Sequence, residues 1–277
     1  MIRSAVTGLK WPAIPSQTDS GVLALQFQLE QSQWHSTEIM RSNQLRQAGL
    51  LVSHALNTVP YYQAKLSHLT QELKGDIDWG VWQQIPILER SEVQDHSEGL
   101  VSKAIPSSHL PVASGITSGS TGRPISLLRT RVTGMMWDAF TLRSHLWYGR
   151  DMSRKRAAIR YFDDGVADAP LGARQLGWSG SSDMFLPHGE VVALNVSATI
   201  SEQVAWLIKE QPEYLVSYPS NLSALAEHCI KERIQFSQLK EIATIGELLS
   251  DKQRDICREA FGLEIIDTYS AEEIGYI

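Results

Sequence analysis

The chain has 277 residues, 43% hydrophobic and 20% charged, with a formal net charge of −6, which gives material for a large core and excludes a disordered acidic tail. No basic run is longer than Arg154-Lys155-Arg156, which argues against a protein that draws its affinity from nucleic-acid phosphates. No apolar stretch approaches the roughly eighteen residues of a membrane span, and the start "MIRSAVTGLKWPAIPSQ" lacks the apolar region of a secretory signal, so a cytoplasmic protein without membrane attachment is expected.

Taken in chain order, residues 22 to about 57 carry one long helical pattern, with Leu45, Leu51, Val52, Ala55 and Leu56 on its apolar face. Asn57 and Val59-Pro60 end it, because the residue before proline disfavours the helical region. "WQQIPILERSEV" predicts a turn, then a helix with Ser91 as its cap. "HLPVA" and "ISLLRT" are short apolar runs that predict two strands joined by the segment between them. A helix from about Thr133 to Trp147 follows, then a buried strand in "RAAIRYF". Residues 163–190, rich in Gly, Ser, Asp and Pro, read mainly as loop. From residue 200 the pattern is helix (about 200–210), strand "EYLVSY", a helix opened by Pro219, strand "EIATIG", a helix ended by Gly262, and strand "LEIIDTY". Strands alternating with helices predict an α/β fold, a parallel sheet with crossover helices. Ligands in such sheets sit beyond the carboxyl ends of the strands. Those ends are Ser217-Tyr218, Gly246-Glu247 and Tyr269-Ser270, expected to converge, which also marks Tyr218 and Ser220 as candidate pocket residues. Cys229 and Cys257 lie in the last two of these helices, far from a second Cys or a paired His, and read as buried reduced thiols.

The segment "SGITSGSTGRPIS" (114–126) has almost nothing to pack in a core. Its glycines let successive backbone N–H groups face one concavity; Thr117, Ser118, Ser120 and Thr121 add hydroxyl donors, and Arg123 a guanidinium suited to phosphate. It fits neither the Walker A spacing nor the dinucleotide fingerprint, and composition alone favours a flexible surface loop. "DTYSAEEIG" puts adjacent Glu272 and Glu273 on an extended segment, so only one can face a cleft; such a carboxylate suits Mg²⁺, while two solvated glutamates are the plain alternative. "TIGELLS" places Gly246 where a flat ring could approach the backbone, or is an ordinary turn with Ser250 capping the next helix.

Together, "TSGSTGRP" (117–124), "SYPSNLSALAEH" (217–228), "TIGELLS" (244–250) and "DTYSAEEIG" (267–275) resemble the adenylate-forming, AMP-dependent synthetase/ligase superfamily. The resemblance is nearest to its phenylacetate–CoA ligase-like branch and capsular-polysaccharide-biosynthesis relatives. "LLVSHALNTVPYYQAKL" and "WQQIPILERSEV" extend it across roughly residues 40 to 277. The resemblance implies a reaction in which ATP and a small carboxylic acid form an acyl-adenylate that a thiol, commonly coenzyme A, captures. It also implies site roles. Thr117, Ser118, Gly119, Ser120, Thr121, Gly122 and Arg123 would cradle phosphate; Gly246, Glu247 and Leu248 would line the adenine site; Asp267, Thr268, Tyr269 and Ser270 would complete it, with Tyr269 stacked on the ring; Glu273 would bind Mg²⁺.

The sequence departs from the family pattern in three places: Arg123 stands where many relatives carry Lys, Ser270 where Gly is common, and Glu272 where Ser or Thr is common. The resemblance divides the chain into a helical segment (1–110) packing on the core and an incomplete nucleotide-binding α/β core (111–277), truncated before the small C-terminal domain. The family's later ribose-binding Asp, hinge and catalytic Lys have no counterpart before Ile277, so slow adenylation by this chain is expected. Two other functions stay open on sequence: a nucleotide-binding or scaffolding protein that keeps the fold without the chemistry, and a ligase delivering the acyl group to a protein or sugar. Trp137, His145, Trp147, Tyr148, Tyr161, Phe162, Trp178 and Phe185 could line an acid pocket or pack a core, and Arg160 could pair with an acid or form a strand-end ion pair.

Overall fold

The computed structural model describes residues 1–73, 75–116, 123–178, 180–271 and 275–276. They form two compact units, one made of Met1–Leu23 with Trp137–Ile277, the other of Ala24–Met136.

The helical pattern at the start is two helices, α1 (Gln17–Ser32) and α2 (Thr37–Thr58), rather than the single one expected. No Gly or Pro marks the break. Ser36, in an extended conformation, caps α2 by accepting from the Ile39 N–H, so the chain restarts a helix where periodicity alone runs on. Short helices α3 (Pro60–Lys65), α4 (Trp79–Gln84) and α5 (Arg90–Asp95) follow. Leu66, Leu69, Leu73 and Ile77 are buried against Leu45, Ala48, Val52 and Leu56 of α2, which makes this second unit's core. The expected cap Ser91 lies inside α5; Glu89 is the N-cap residue, and its N–H donates to the Glu92 carboxylate at 3.0 Å. Strands β1 (Val112–Ile116) and β2 (Ser126–Thr130) pair antiparallel, Val112 opposite Thr130 and Ile116 opposite Ser126, as expected. Helix α6 (Arg131–Trp147) follows directly.

The first unit is a six-stranded sheet built from β3 (Arg156–Arg160), β4 (Ala173–Leu176), β5 (Glu190–Asn195), β6 (Tyr214–Ser217), β7 (Glu241–Thr244) and β8 (Ile265–Asp267) in the order β4-β5-β3-β6-β7-β8. Only β4 runs antiparallel. Helices α7 (Ile200–Glu210), α8 (Pro219–Glu232) and α9 (Asp251–Phe261) connect the parallel strands. Their apolar stripes (Val204, Leu207; Leu222, Leu225, Ala226; Cys257) pack on Ala157, Ile159, Leu194, Leu215 and Ile242, which are all but solvent-free. The expected sequence of strands and helices from residue 200 onward is what forms. Sequence reading missed β4, inside the segment read as loop: Ala-Arg-Gln-Leu has no strand-like alternation, all four residues are exposed, and pairing with β5 alone makes it a strand. A two-residue pair, β9 (Ser270–Ala271) with β10 (Gly275–Tyr276), ends the chain's described part. No helix among the described residues is long and apolar enough to cross a membrane.

Candidate functional site

Strand register levels the carboxyl ends. Ile159, Ser217, Thr244 and Asp267 are consecutive partners across β3, β6, β7 and β8. With neighbouring strands about 4.8 Å apart, residues one to three beyond this row are brought together within about 15 Å. These are Tyr218, Gly246, Glu247, Thr268 and Tyr269, so the predicted convergence of the three segments is present.

Tyr218 lies across this row. Its phenol oxygen accepts from the Tyr161 N–H, just past β3, at 3.2 Å. Its ring covers Gly246, where a Cβ would stand 3.1 Å from Cε1. Gly246 has φ +74°, a conformation in which a side chain is strained. A flat side chain thus lies against bare backbone here, though the flat side chain is the protein's own Tyr218. Glu247 turns back to α8: Ser220 donates to its carboxylate from both N–H and Oγ, each at 3.0 Å. An anion at the first turn of a helix opened by Pro219 satisfies donors the helix itself leaves without partners. Leu248 is 92% exposed and Tyr269 72% exposed. Asp267 is held on both oxygens, by the Thr244 hydroxyl at 2.7 Å and Arg254 at 3.4 Å. Thr268 is half-buried and Ser270 exposed.

A buried polar ladder that sequence reading did not single out supports this surface. Gln203 donates to the carbonyls of Val196 and Ala198 and accepts from Asn221 at 2.8 Å. Asn221 also donates to Ser217 Oγ, which donates to the Ile159 carbonyl at 2.6 Å. The β6–α8 turn carrying Tyr218 and Ser220 is therefore tied to the ends of β3 and β5. Only the polarity of Gln203, on an otherwise apolar helix face, hinted at it.

In the other unit, Arg123 follows the small-residue segment and is already engaged. Its Nη1 donates to Asp95 Oδ1 at 3.0 Å and its Nη2 to the Gln94 carbonyl at 3.3 Å. Thr117, Ser118, Gly119, Ser120, Thr121, Gly122 and Glu273 lie outside the described residues. Among the described residues no group of three or more His, Cys, Asp or Glu is placed to hold a metal ion. The two described carboxylates at the strand ends, Glu247 and Asp267, are both committed to protein donors, so they do not offer a Mg²⁺ site as they stand and no step is built on a metal here.

Of the aromatic and histidine candidates, His145 and Trp178 belong to a core at the other end of the strands. His145 is buried edge-on against Trp178, and Arg150, which can only donate, gives a hydrogen bond to its Nδ1 at 3.0 Å. Burial, with Arg156 and Arg150 adding repulsion, lowers its pKa to about 3, so it is a neutral packing residue. Arg150 in turn pairs with the half-buried Glu241 at 2.7 Å. Trp147 and Tyr148 are exposed and carry Arg143 and Arg150 over their rings, while Arg160 lies over Phe162. Tyr161, 66% exposed, lies at the strand-end surface beside Tyr218.

No family model and no curated protein matches the sequence. Among solved structures, 2-hydroxyisobutyryl-CoA ligase bound to 2-HIB-AMP and CoA in the thioesterification state is similar, with a TM-score of 0.61 and 18% identity over 85% of this chain and 50% of that one. The same ligase in an open conformation with 2-HIB-AMP and CoA gives a TM-score of 0.59, again at 18% identity, over 82% of this chain and 52% of that one. The chain spans about half the length of these ligases and shares their mixed α/β fold with its mostly parallel sheet.

Proposed function

We propose that this chain belongs to an adenylate-forming ligase of the phenylacetate–CoA ligase-like branch and carries its nucleotide and acid sites. Three of the four motifs fall, in order, at the carboxyl ends of consecutive parallel strands, and this observation supports the reading most directly. The fold shared with a ligase solved with 2-HIB-AMP and CoA supports it independently. In this reaction a carboxylate oxygen attacks the α-phosphorus of ATP, the bond to the β-phosphate breaks, and pyrophosphate leaves. Anion meets anion, so the work is charge neutralisation and alignment rather than proton removal. Residues 117–122 and Arg123 would meet the phosphates, Gly246 to Leu248 and Asp267 to Ser270 the adenosine, and Glu273 a Mg²⁺ brought with ATP. Tyr218 and Ser220 would face the acid. A thiol, coenzyme A or a carrier, would then take the acyl group.

Isothermal titration of the chain with Mg·ATP tests the reading, paired with carboxylate-dependent pyrophosphate exchange over a panel of acids. Saturable binding is expected, weakened about tenfold in Arg123→Ala, the size of a lost charge-assisted hydrogen bond. Exchange with any one acid excludes a nucleotide-binding protein without the chemistry. A wild-type chain that takes up no nucleotide sinks the assignment.

A further inference from the structure

Helix α5 holds Arg123 by reciprocal contacts. Gln94 Nε2 donates to the Arg123 carbonyl at 2.6 Å, fixing the backbone just after the small-residue segment. Arg123 Nη2 returns a bond to the Gln94 carbonyl at 3.3 Å, and Nη1 reaches Asp95 Oδ1 at 3.0 Å. Arg90 Nη2 adds a long contact to the same Arg123 carbonyl at 3.5 Å. Behind this junction α5 is itself pinned to α3: Glu92 accepts from the Tyr61 hydroxyl at 2.9 Å and pairs with Lys65. The frame runs from α3 through α5 to a single guanidinium.

The form of the ion pair matters. A guanidinium has five N–H donors, and a carboxylate that faces it squarely takes two of them in a parallel fork. Asp95 touches one nitrogen through one oxygen, and the Gln94 carbonyl holds the other. Two contacts from different directions fix the plane of the group while using two of its donors. The Arg123 and Asp95 side chains are 63% and 56% exposed, so a dissolved anion can reach the rest. Such an exposed pair contributes little to stability, which leaves orientation as its effect.

Accepting that Arg123 meets a polyphosphate, as the proposed function requires, we infer that Asp95 is a positioning residue for that contact, presenting the guanidinium rather than competing for it. Titration of the 277-residue chain with Mg·ATP tests this on wild type, Asp95→Ala, Asp95→Asn, Arg123→Ala and the double variant Asp95→Ala/Arg123→Ala. Asp95→Ala should weaken binding about two- to fivefold, the scale of an exposed ion pair. Asp95→Asn keeps the acceptor oxygen without the charge and should bind at least as tightly as wild type. In the Arg123→Ala background, Asp95→Ala should change nothing, and thermal melts of all five should superimpose. Unchanged or tighter binding by Asp95→Ala overturns the inference and marks Asp95 as a bystander or a competitor. Equal weakening in the Arg123→Ala background overturns it too, since the effect would not pass through Arg123. If wild type binds no nucleotide, the functional reading itself falls and this inference with it; the wild-type arm alone tells the two failures apart.

Discussion

Gly246 is the residue whose replacement reports most directly on the strand-end surface. Its φ of +74° and the Tyr218 ring 3.1 Å from any added Cβ leave a side chain no relaxed position. Gly246→Ala should lose about 1–2 kcal/mol for the left-handed backbone and push the Tyr218 ring off its seat. If the adenosine site is here, Mg·ATP binding should weaken by about tenfold (about 1.4 kcal/mol), whereas Leu248→Ala, at a side chain 92% exposed, should leave the melting temperature untouched. Equal nucleotide affinity in wild type and Gly246→Ala would remove this turn from the site. The two thiols make a different residue-scale statement. Burial pushes Cys229 and Cys257 up to about 11, so both are protonated near neutrality. Neither should react with a thiol-specific disulfide reagent in the native protein, and both should react once the chain is unfolded in urea; fast native labelling of either would contradict its placement.

At the scale of elements, the joint between β6 and α8 depends on amides rather than on apolar contact. Asn221→Ala removes the donor to Gln203, whose side chain is 1% exposed, and to Ser217, which is solvent-free. Leaving such a group unsatisfied costs about 1–3 kcal/mol, measurable as a lower urea midpoint, and it should loosen the turn that holds Tyr218. A midpoint equal to wild type would show the ladder to be dispensable. This joint also shows what sequence carries and what it does not. Pro219 and the alternation of apolar runs with helical stripes announced α8 and its neighbouring strands, because each signal is local. The ladder was silent, since Gln203, Asn221 and Ser217 meet only once register sets β3, β5 and β6 side by side. The break between α1 and α2 was hidden for the opposite reason: apolar periodicity passes through Trp34-His35-Ser36, and only the capping hydroxyl of Ser36 decides against continuity. At the strand ends, the positions of Tyr218, Glu247 and Asp267 were legible, but their committed partners Tyr161, Ser220 and Arg254 were not, as none is near its partner in a readable pattern.

Across the whole molecule, acid should be felt first at a buried imidazole. The His145 pKa is lowered in the fold from its ordinary 6.5 to about 3 by burial, with Arg156 and Arg150 adding repulsion. Between those values the unfolded chain binds a proton that the folded chain refuses, so stability falls on acidification from about pH 6.5, by up to about 1.4 kcal/mol per pH unit. Glu92, lowered to about 2 chiefly by its hydrogen bond from Lys65, adds a loss of its own only as pH falls below 4.5. The interval between pH 6.5 and 5 therefore isolates His145. His145→Gln, which keeps an acceptor for Arg150 without titrating, should flatten the urea-midpoint profile there; an unchanged slope would place the acid-sensitive group elsewhere.

The antiparallel margin of the sheet carries one more consequence. β4 is four residues long with every side chain in solvent, and its Arg174 is clasped by Glu190 and Glu210 at 2.8 Å. An open row of backbone donors is ordinarily an invitation for another polypeptide to zip alongside, and brevity together with a fixed charge is how natural sheets refuse it. The opposite margin, β8, is shorter still at three residues. Among the described residues, then, this six-stranded sheet offers no long flat rail along which copies of the chain could stack into fibrils at high concentration.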